Sequence, residues 1–179
     1  MTNSKNNHKK KWLVFYTRAR SEKVCEAQLK IKGIQVFLPK CIKVRQWKDR
    51  KKKVILPLFP NYIFALVDEY ERIEVLESPG IVRNLIYNQQ MVEISSAEIE
   101  QINLMQMQPG SLQVMASPRP KRGEKIRINE GPMEGLEGEI LEHYGSTHLL
   151  VRINSINQAV KVKLPAVMVA DPESSNCHV

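Results

Sequence analysis

A stretch rich in proline, residues 106–120, divides the 179-residue chain into two unequal parts. It reads QMQPGSLQVMASPRP, and its three prolines and one glycine interrupt both the helical and the strand periods of hydrophobicity. We therefore predict a linker there, between a domain at residues 12–105 and a second domain at residues 121–171. Residues 1–11 are basic and residues 172–179 are polar, and both are expected to be tails.

The first part alternates strand-like and helical patterns. Residues 12–16 are rich in strand-forming residues, and a helix is predicted from Ser21, as its N-cap, to Gly33. Its predicted inward face carries Val24, Ala27, Gln28 and Ile31. Ser95 and Glu98 have the spacing of a capping box at the start of the last helix. The order strand, helix, strands, helix, strand, helix predicts an α+β domain in which helices pack on an antiparallel sheet.

After the predicted linker, the pattern changes to short apolar runs separated by Gly, Asn, Ser and Pro. Gly131, Pro132, Gly135 and Gly138 oppose helix formation in the first of these segments. This part of the chain is therefore predicted to form a small β-barrel.

Positive charge is concentrated in the first third of the chain. Residues 1–53 contain 17 lysine or arginine residues and three acidic residues, although the net charge of the whole chain is only +8. A field of one sign attracts polyanions, most often nucleic acid. The run RQWKDRKKK at residues 45–53 lies between two apolar segments and is predicted to be a hairpin tip. A solvated hairpin with Trp47 folded back on the sheet is an equally good interpretation.

Several classes of protein are disfavoured by the sequence. It has neither an apolar run of about 18 residues nor the apolar core of a secretory signal. Cys25, Cys41 and Cys177 are too far apart for a disulfide framework or a zinc site. His143 and His148 lack further ligands, and no phosphate loop or nucleophile elbow is present. We expect a cytoplasmic monomer that is not an enzyme and has no metal or cofactor.

Two segments together resemble one protein family. The segment LFPNYIFALV at residues 58–67 follows the opening WLVFYTRARSEKVCEAQL and precedes SPGIVRNL. This part resembles the N-terminal domain of the NusG-like transcription elongation factors. Residues 121–141, KRGEKIRINEGPMEGLEGEIL, resemble a KOW motif, a small SH3-like β-barrel that binds RNA or protein. Asn61 stands where housekeeping members usually have glycine, which is closer to the RfaH and UpxY branches.

The resemblance implies that an aromatic face of the first domain binds the clamp helices of RNA polymerase. The candidate residues for that contact are Tyr16, Phe59, Pro60, Tyr62 and Phe64. Strand alternation places Tyr62 and Phe64 on one face, but spacing alone would favour a plain core strand.

A second set of candidates is basic or aromatic. These residues are predicted to contact the non-template DNA strand or nascent RNA, because lysine and arginine bind phosphates and tryptophan stacks on unpaired bases. They are Arg18, Arg20, Trp47, Lys48, Arg50, Lys51, Lys52 and Lys53.

In housekeeping relatives, aromatic residues in two loops of the KOW barrel offer a surface to the termination factor Rho and to a small-subunit ribosomal protein. At these positions Met133 and Ile156 are the apolar candidates here, so we expect weak or absent Rho binding and retain the ribosomal protein as a candidate partner. The predicted function is antitermination on specific long operons, such as polysaccharide operons. The alternatives are a general housekeeping elongation factor and a ribosome-associated RNA-binding protein.

Overall fold

The structure is a computed structural model, and it describes residues 9–47, 49–106, 112–116, 125–128, 134–143 and 146–163. The chain divides into two compact units, Met1–Glu100 and Gln101–Val179. The elements of the first unit are β1 (Lys11–Thr17), α1 (Glu22–Ile31), β2 (Gln35–Phe37), β3 (Lys40–Gln46), β4 (Lys51–Pro57), β5 (Tyr62–Val67), α2 (Glu69–Leu76), β6 (Ile81–Asn84), β7 (Ile86–Tyr87) and β8 (Gln90–Met91). Helix α3 (Ser96–Gln106) crosses the boundary between the units.

A four-stranded antiparallel sheet in the order β2-β5-β1-β6 forms the centre of the first unit. β1 takes a central position because its sequence, KWLVFYT, is dominated by residues that fit a pleated, buried surface. Residues of the sheet and of both helices share one buried core cluster, which includes Leu13, Phe15, Ile63, Ala65 and Val67 with Cys25, Leu29 and Val75. The predicted antiparallel sheet with packed helices is therefore confirmed.

Helix α1 occupies the predicted residues, but the prediction of its inward face is wrong. Its buried residues are Glu22, Cys25 and Leu29. Val24 and Ile31, which were predicted to be buried, are exposed. Cys25, on the buried face, lies close to the turn at Gly80, a segment distant in sequence that the residue pattern of α1 alone could not reveal.

Side chains fix both ends of α2. The Asp68 carboxylate accepts hydrogen bonds from two backbone N–H groups of the first turn, and Glu71 accepts one from the Asp68 N–H, so the two form a capping box. At the other end, Lys32 Nζ donates to the Glu74 carbonyl and to Ser78 Oγ, which places a cation at the negative end of the helix dipole. The capping box therefore marks where α2 begins, and the Lys32 contacts mark where the chain leaves it for β6.

An antiparallel five-stranded sheet forms most of the described part of the second unit. Its strands, in the order β10-β11-β12-β13-β9, are β10 (Lys125–Arg127), β11 (Glu137–His143), β12 (Ser146–Ile153), β13 (Gln158–Lys163) and β9 (Leu112–Ala116). β9 lies inside residues 106–120, which were predicted to be a linker, so this part of the segment belongs instead to the sheet of the second unit. The prolines and glycine beside this segment argued against a strand. β9 forms nevertheless, because pairing with β13 supplies hydrogen-bond partners for its backbone. Across the residues described by the structure, no helix is both long and apolar enough to cross a membrane.

Candidate functional site

Tyr16 of β1 and Tyr62 of β5 lie directly opposite each other in the sheet. Their rings meet edge to face, with centroids 5.7 Å apart and ring planes at 84°. Both side chains are half-buried, so part of the pair faces solvent. Arg83 of β6 is in register with Tyr16, and its Cζ lies 5.8 Å from the Tyr16 ring centroid, within cation–π range. Sequence reasoning missed Arg83, because the pairing of β6 with β1 leaves no signal in the residue pattern.

The prediction that Phe59 and Phe64 are surface anchors is wrong. Phe64 is 0% exposed and Phe59 is 1% exposed. The Phe64 ring contacts Phe59 edge to face and Phe37 in a tilted arrangement, both at centroid distances of 6.1 Å. These rings therefore form an aromatic core. Of the five predicted residues, Tyr16, Pro60 and Tyr62 reach the surface, and their contact with polymerase stays a prediction.

The chain enters β5 through a tight turn at residues 59–62, in which the Tyr62 N–H donates to the Phe59 carbonyl at 3.3 Å. Asn61 has a left-handed backbone with φ +66°. A proline followed by a left-handed residue is typical of a type II turn, and asparagine tolerates that conformation better than most residues. The Asn61 N–H donates to Glu22 Oε1 at 2.8 Å, and the Thr17 N–H donates to the Asn61 carbonyl at 2.8 Å. Both peptide groups of Asn61 are therefore held.

The predicted arginines Arg18 and Arg20 lie in the exposed turn between β1 and α1. The Arg18 N–H donates to the Gly80 carbonyl at 2.8 Å, and the Ser21 N–H donates to the Arg18 carbonyl at 3.1 Å. Arg20 has φ +64°, a conformation that costs a residue other than glycine about 1 kcal/mol. The turn is thus fixed by backbone hydrogen bonds and presents both side chains to solvent.

β3 and β4 form a separate two-stranded antiparallel sheet, residues 40–57, which we call the basic ribbon. Its tip is closed by a hydrogen bond of 2.9 Å from the Trp47 N–H to the Arg50 carbonyl. Trp47 is 60% exposed, so its ring is not folded back on the sheet. Lys48, which was predicted to bind nucleic acid, lies outside the described residues.

The outer half of the basic ribbon carries positive charge on both faces. Arg45 lies directly opposite Lys52, whereas Lys51 and Lys53 belong to the other face. Like charges in directly opposite positions destabilise a strand pair. Among the residues described, none of these four side chains forms an ion pair with an acidic group. An anionic ligand would therefore relieve their mutual repulsion.

Helix α1 anchors the base of the basic ribbon. Lys23 Nζ donates to the Ile55 carbonyl at 2.9 Å, and Glu26 forms ion pairs with Lys40 at 2.7 Å and with Lys30 at 2.8 Å. Partial burial raises the pKa of Glu26, but hydrogen bonds and charges from the two lysines outweigh burial, so the pKa lies below its usual value. The ionised carboxylate therefore ties α1 to the start of β3.

The two candidates in the second unit do not provide the predicted contacts. Met133 lies outside the described residues. Ile156 is 7% exposed, so the prediction that it is an apolar surface contact is wrong. It belongs to a 3-10 turn closed by a hydrogen bond of 3.1 Å from the Asn157 N–H to the Asn154 carbonyl, and this turn folds the side chain inward.

No group of three His, Cys, Asp or Glu side chains that could hold a metal ion occurs in the described part of the chain. Cys25 and Cys41 are buried free thiols, and burial raises the pKa of both, with the Glu22 charge adding to the rise at Cys25. Protonated, buried thiols are poor nucleophiles.

Comparison with known proteins gives the family. A family model described as transcription termination factor nusG matches residues 10–103, which is more than half of the chain. A solved structure titled "Domain interaction in Thermotoga maritima NusG" is similar in fold, with 20% identity and a TM-score of 0.53 over 89% of this chain and 96% of that chain. NusG-family proteins are transcription factors that bind RNA polymerase. This chain belongs to the NusG family.

Proposed function

We propose that this protein binds the clamp helices of RNA polymerase through the Tyr16–Tyr62 pair and acts as an elongation and antitermination factor. The observation that carries the proposal is the half-exposed, edge-to-face tyrosine pair on the sheet of a NusG-type domain. Clustered aromatic rings offer a large contact area at a low entropic cost, as interface anchors do. Exposed Pro60 adds a rigid apolar group next to Tyr62. Bound there, the protein would hold the clamp closed and so reduce pausing and termination.

The basic ribbon is proposed to contact the non-template DNA strand or nascent RNA, together with Arg18 and Arg20. The opposed cations Arg45 and Lys52, and the exposed ring of Trp47, support this role. Cations neutralise phosphates and release counterions, while the indole ring provides a stacking surface for an unpaired base. The interaction would depend on backbone charge and on stacking, and so would depend strongly on salt.

We further propose a specialised role on specific long operons, such as polysaccharide operons. The support is Asn61, which occupies a left-handed turn position where glycine is the least strained residue. By resemblance, housekeeping members usually have glycine at this position. Mapping the protein along the genome tests the subdivision: occupancy of a few operons supports the specialised role, and occupancy of all transcripts supports a general housekeeping factor.

The second unit is proposed to be a KOW barrel, and its five antiparallel strands support that assignment. Because Ile156 is buried, Met133 is the one predicted apolar contact that remains. We therefore propose weak or absent binding to Rho, with a small-subunit ribosomal protein as the candidate partner. Co-purification distinguishes a polymerase-binding factor from a ribosome-associated RNA-binding protein. Polymerase subunits would support the first, and ribosomal subunits that remain bound at high salt would support the second.

Binding to purified bacterial core RNA polymerase tests the main proposal. Tyr16→Ala and Tyr62→Ala should each weaken binding by about 2 kcal/mol, the loss typical of an interface anchor. Tyr87→Ala is the matched control, because Tyr87 is 73% exposed and belongs to the separate β7-β8 sheet, where it pairs with Gln90. Melting curves verify that each variant is folded. Unchanged affinity in folded variants of both Tyr16 and Tyr62 would contradict the proposal.

A further inference from the structure

Glu22 is a buried carboxylate with an unusual environment. It is the first residue of α1 and is only 5% exposed. In the part of the chain that the structure describes, no lysine, arginine or histidine forms an ion pair with it. Removing an unpaired carboxylate from water is costly, so the site must offer compensating interactions. A glutamate here therefore calls for an explanation beyond ordinary packing.

Glu22 reaches a segment that is remote in sequence. Its Oε1 accepts the Asn61 N–H at 2.8 Å, and the Asn61 carbonyl in turn accepts the Thr17 N–H at 2.8 Å. Thr17 directly follows Tyr16, and Asn61 directly precedes Tyr62. The hydrogen bond between Thr17 and Asn61 therefore joins the two residues that are adjacent in sequence to Tyr16 and Tyr62.

The conformation of Asn61 explains why such a contact matters. Its φ of +66° is one that a residue with a side chain adopts at some cost, so the turn tends to relax unless its surroundings hold it. Relaxation would rotate the start of β5. Tyr62 is the first residue of that strand, and its ring meets Tyr16 over a single edge-to-face contact.

We propose that Glu22 is a positioning residue that holds the turn at Asn61, and thereby keeps Tyr62 against Tyr16 in the geometry that binds polymerase. The binding part of this inference rests on the proposed function. The rival explanation is that Glu22 only stabilises the N-terminus of α1, where a negative charge is favourable. That role needs the charge of the side chain but not its reach to Asn61.

Two substitutions of Glu22 distinguish the effect of its side-chain length from the effect of its charge. Glu22→Gln keeps the length of the side chain and an acceptor oxygen but removes the charge. Glu22→Asp keeps the charge but withdraws the carboxylate by one carbon–carbon bond, about 1.5 Å, which takes it beyond hydrogen-bond distance of the Asn61 N–H. Both changes are small, and melting curves report how much each affects overall stability.

Nuclear magnetic resonance of the full chain, without polymerase, supplies the first measurement. The proposal expects hydrogen exchange of the Asn61 amide to be about ten-fold faster or more in Glu22→Asp, and changed by less than about three-fold in Glu22→Gln. It also expects ring-to-ring Overhauser contacts between Tyr16 and Tyr62 to be lost in Glu22→Asp alone. The opposite ranking, or equal effects of both substitutions, would overturn the proposal in favour of a charge effect or general destabilisation.

Affinity for core RNA polymerase supplies the second measurement. Glu22→Asp should weaken binding about ten-fold, and Glu22→Gln should remain within about three-fold of the parent. If the parent protein does not bind polymerase, the proposed function fails, while the exchange rates and ring contacts still decide whether Glu22 positions the tyrosine pair. If Glu22→Asp loses the ring contacts but binds as the parent does, the link from positioning to binding is refuted.

Discussion

Gly80 lies so close to Cys25 that a Cβ on the glycine would come within 2.8 Å of the Cys25 sulfur and 3.2 Å of Ser21 Cβ. Gly80 also has φ +92°, and its carbonyl accepts the N–H of Arg18. The turn before β6 therefore packs against the start of α1 with no room for a side chain. This contact joins the turn that carries Arg18 and Arg20 to the turn that leads into β6, the strand that carries Arg83.

Replacement of Gly80 by alanine is predicted to destabilise the first unit by about 2–4 kcal/mol, because left-handed strain and overpacking add. Gly33→Ala is the matched control. Gly33 has φ +78°, but a Cβ added to it would meet nothing within 4 Å, so only the strain of about 1 kcal/mol applies. Urea unfolding measures the free energy of unfolding of both variants. Equal losses of stability would show that the Cys25 contact is unimportant.

Asn61 offers a test of the turn itself. Asn61→Gly is predicted to change stability by less than about 0.5 kcal/mol, because glycine adopts φ +66° without strain but also gains freedom in the unfolded chain. Asn61→Ala should cost about 1 kcal/mol or more, since alanine lacks the short polar side chain with which asparagine tolerates that conformation. Thermal unfolding of the two variants provides the measurement. A fully stable alanine variant would show that the turn can relax without consequence.

Removal of the Glu26 carboxylate should change how stability depends on pH. Because the pKa of Glu26 is lowered in the folded protein, its contribution is present above the usual glutamate pKa of about 4.3 and is lost as pH falls through the lower folded value. Glu26→Gln should therefore be less stable than the parent at pH 7, by up to about 1 kcal/mol, and should converge with it in strong acid.

Urea titrations from pH 7 down to strong acid would measure this difference. Glu100→Gln serves as the control, since Glu100 is exposed on α3 and has no ion pair among the residues described. A constant gap between parent and Glu26→Gln across the whole range would show that the ion pairs to Lys30 and Lys40 do not cause it.

Lys52→Glu is predicted to have opposite effects on stability and on ligand binding. It places an acid directly opposite Arg45, which should stabilise the basic ribbon by about 0.2–1 kcal/mol. The same change should weaken binding to single-stranded DNA and reduce the logarithmic salt slope by about one or more. Lys163→Glu, an exposed position of β13, is the control. Anisotropy titrations at several salt concentrations would contradict the proposed role if Lys52→Glu bound as tightly as the parent.

Features encoded by neighbouring residues could be predicted from the sequence. Ser95 Oγ accepts the Glu98 N–H at 3.1 Å, and Glu98 Oε2 accepts the Ser95 N–H at 3.0 Å, which confirms the capping box expected from their spacing. The turn of the basic ribbon also lies within the charged run predicted to be a hairpin tip, although both ends of that run belong to the paired strands β3 and β4. Such signals are complete within a few residues, so no knowledge of the fold is needed.

Features that depend on distant segments could not be predicted in this way. Alternation correctly placed Tyr62 and Phe64 on one face, but Phe37 of β2 and the preceding loop determine which of the two is covered. Ile156 and the strand β9 were misjudged for the same reason, since their burial and pairing require partners elsewhere in the chain. Glu22 gave no local signal either, because its partner is Asn61.

Helix α1 touches both candidate surfaces within little more than one turn. Glu22 holds the approach to Tyr62, whereas Lys23 and Glu26 hold the base of the basic ribbon. Helix α1 thus supports both surfaces, and it fixes the distance between them within the domain. If both surfaces bind as proposed, the protein would contact nucleic acid at a fixed distance from its binding site on the polymerase.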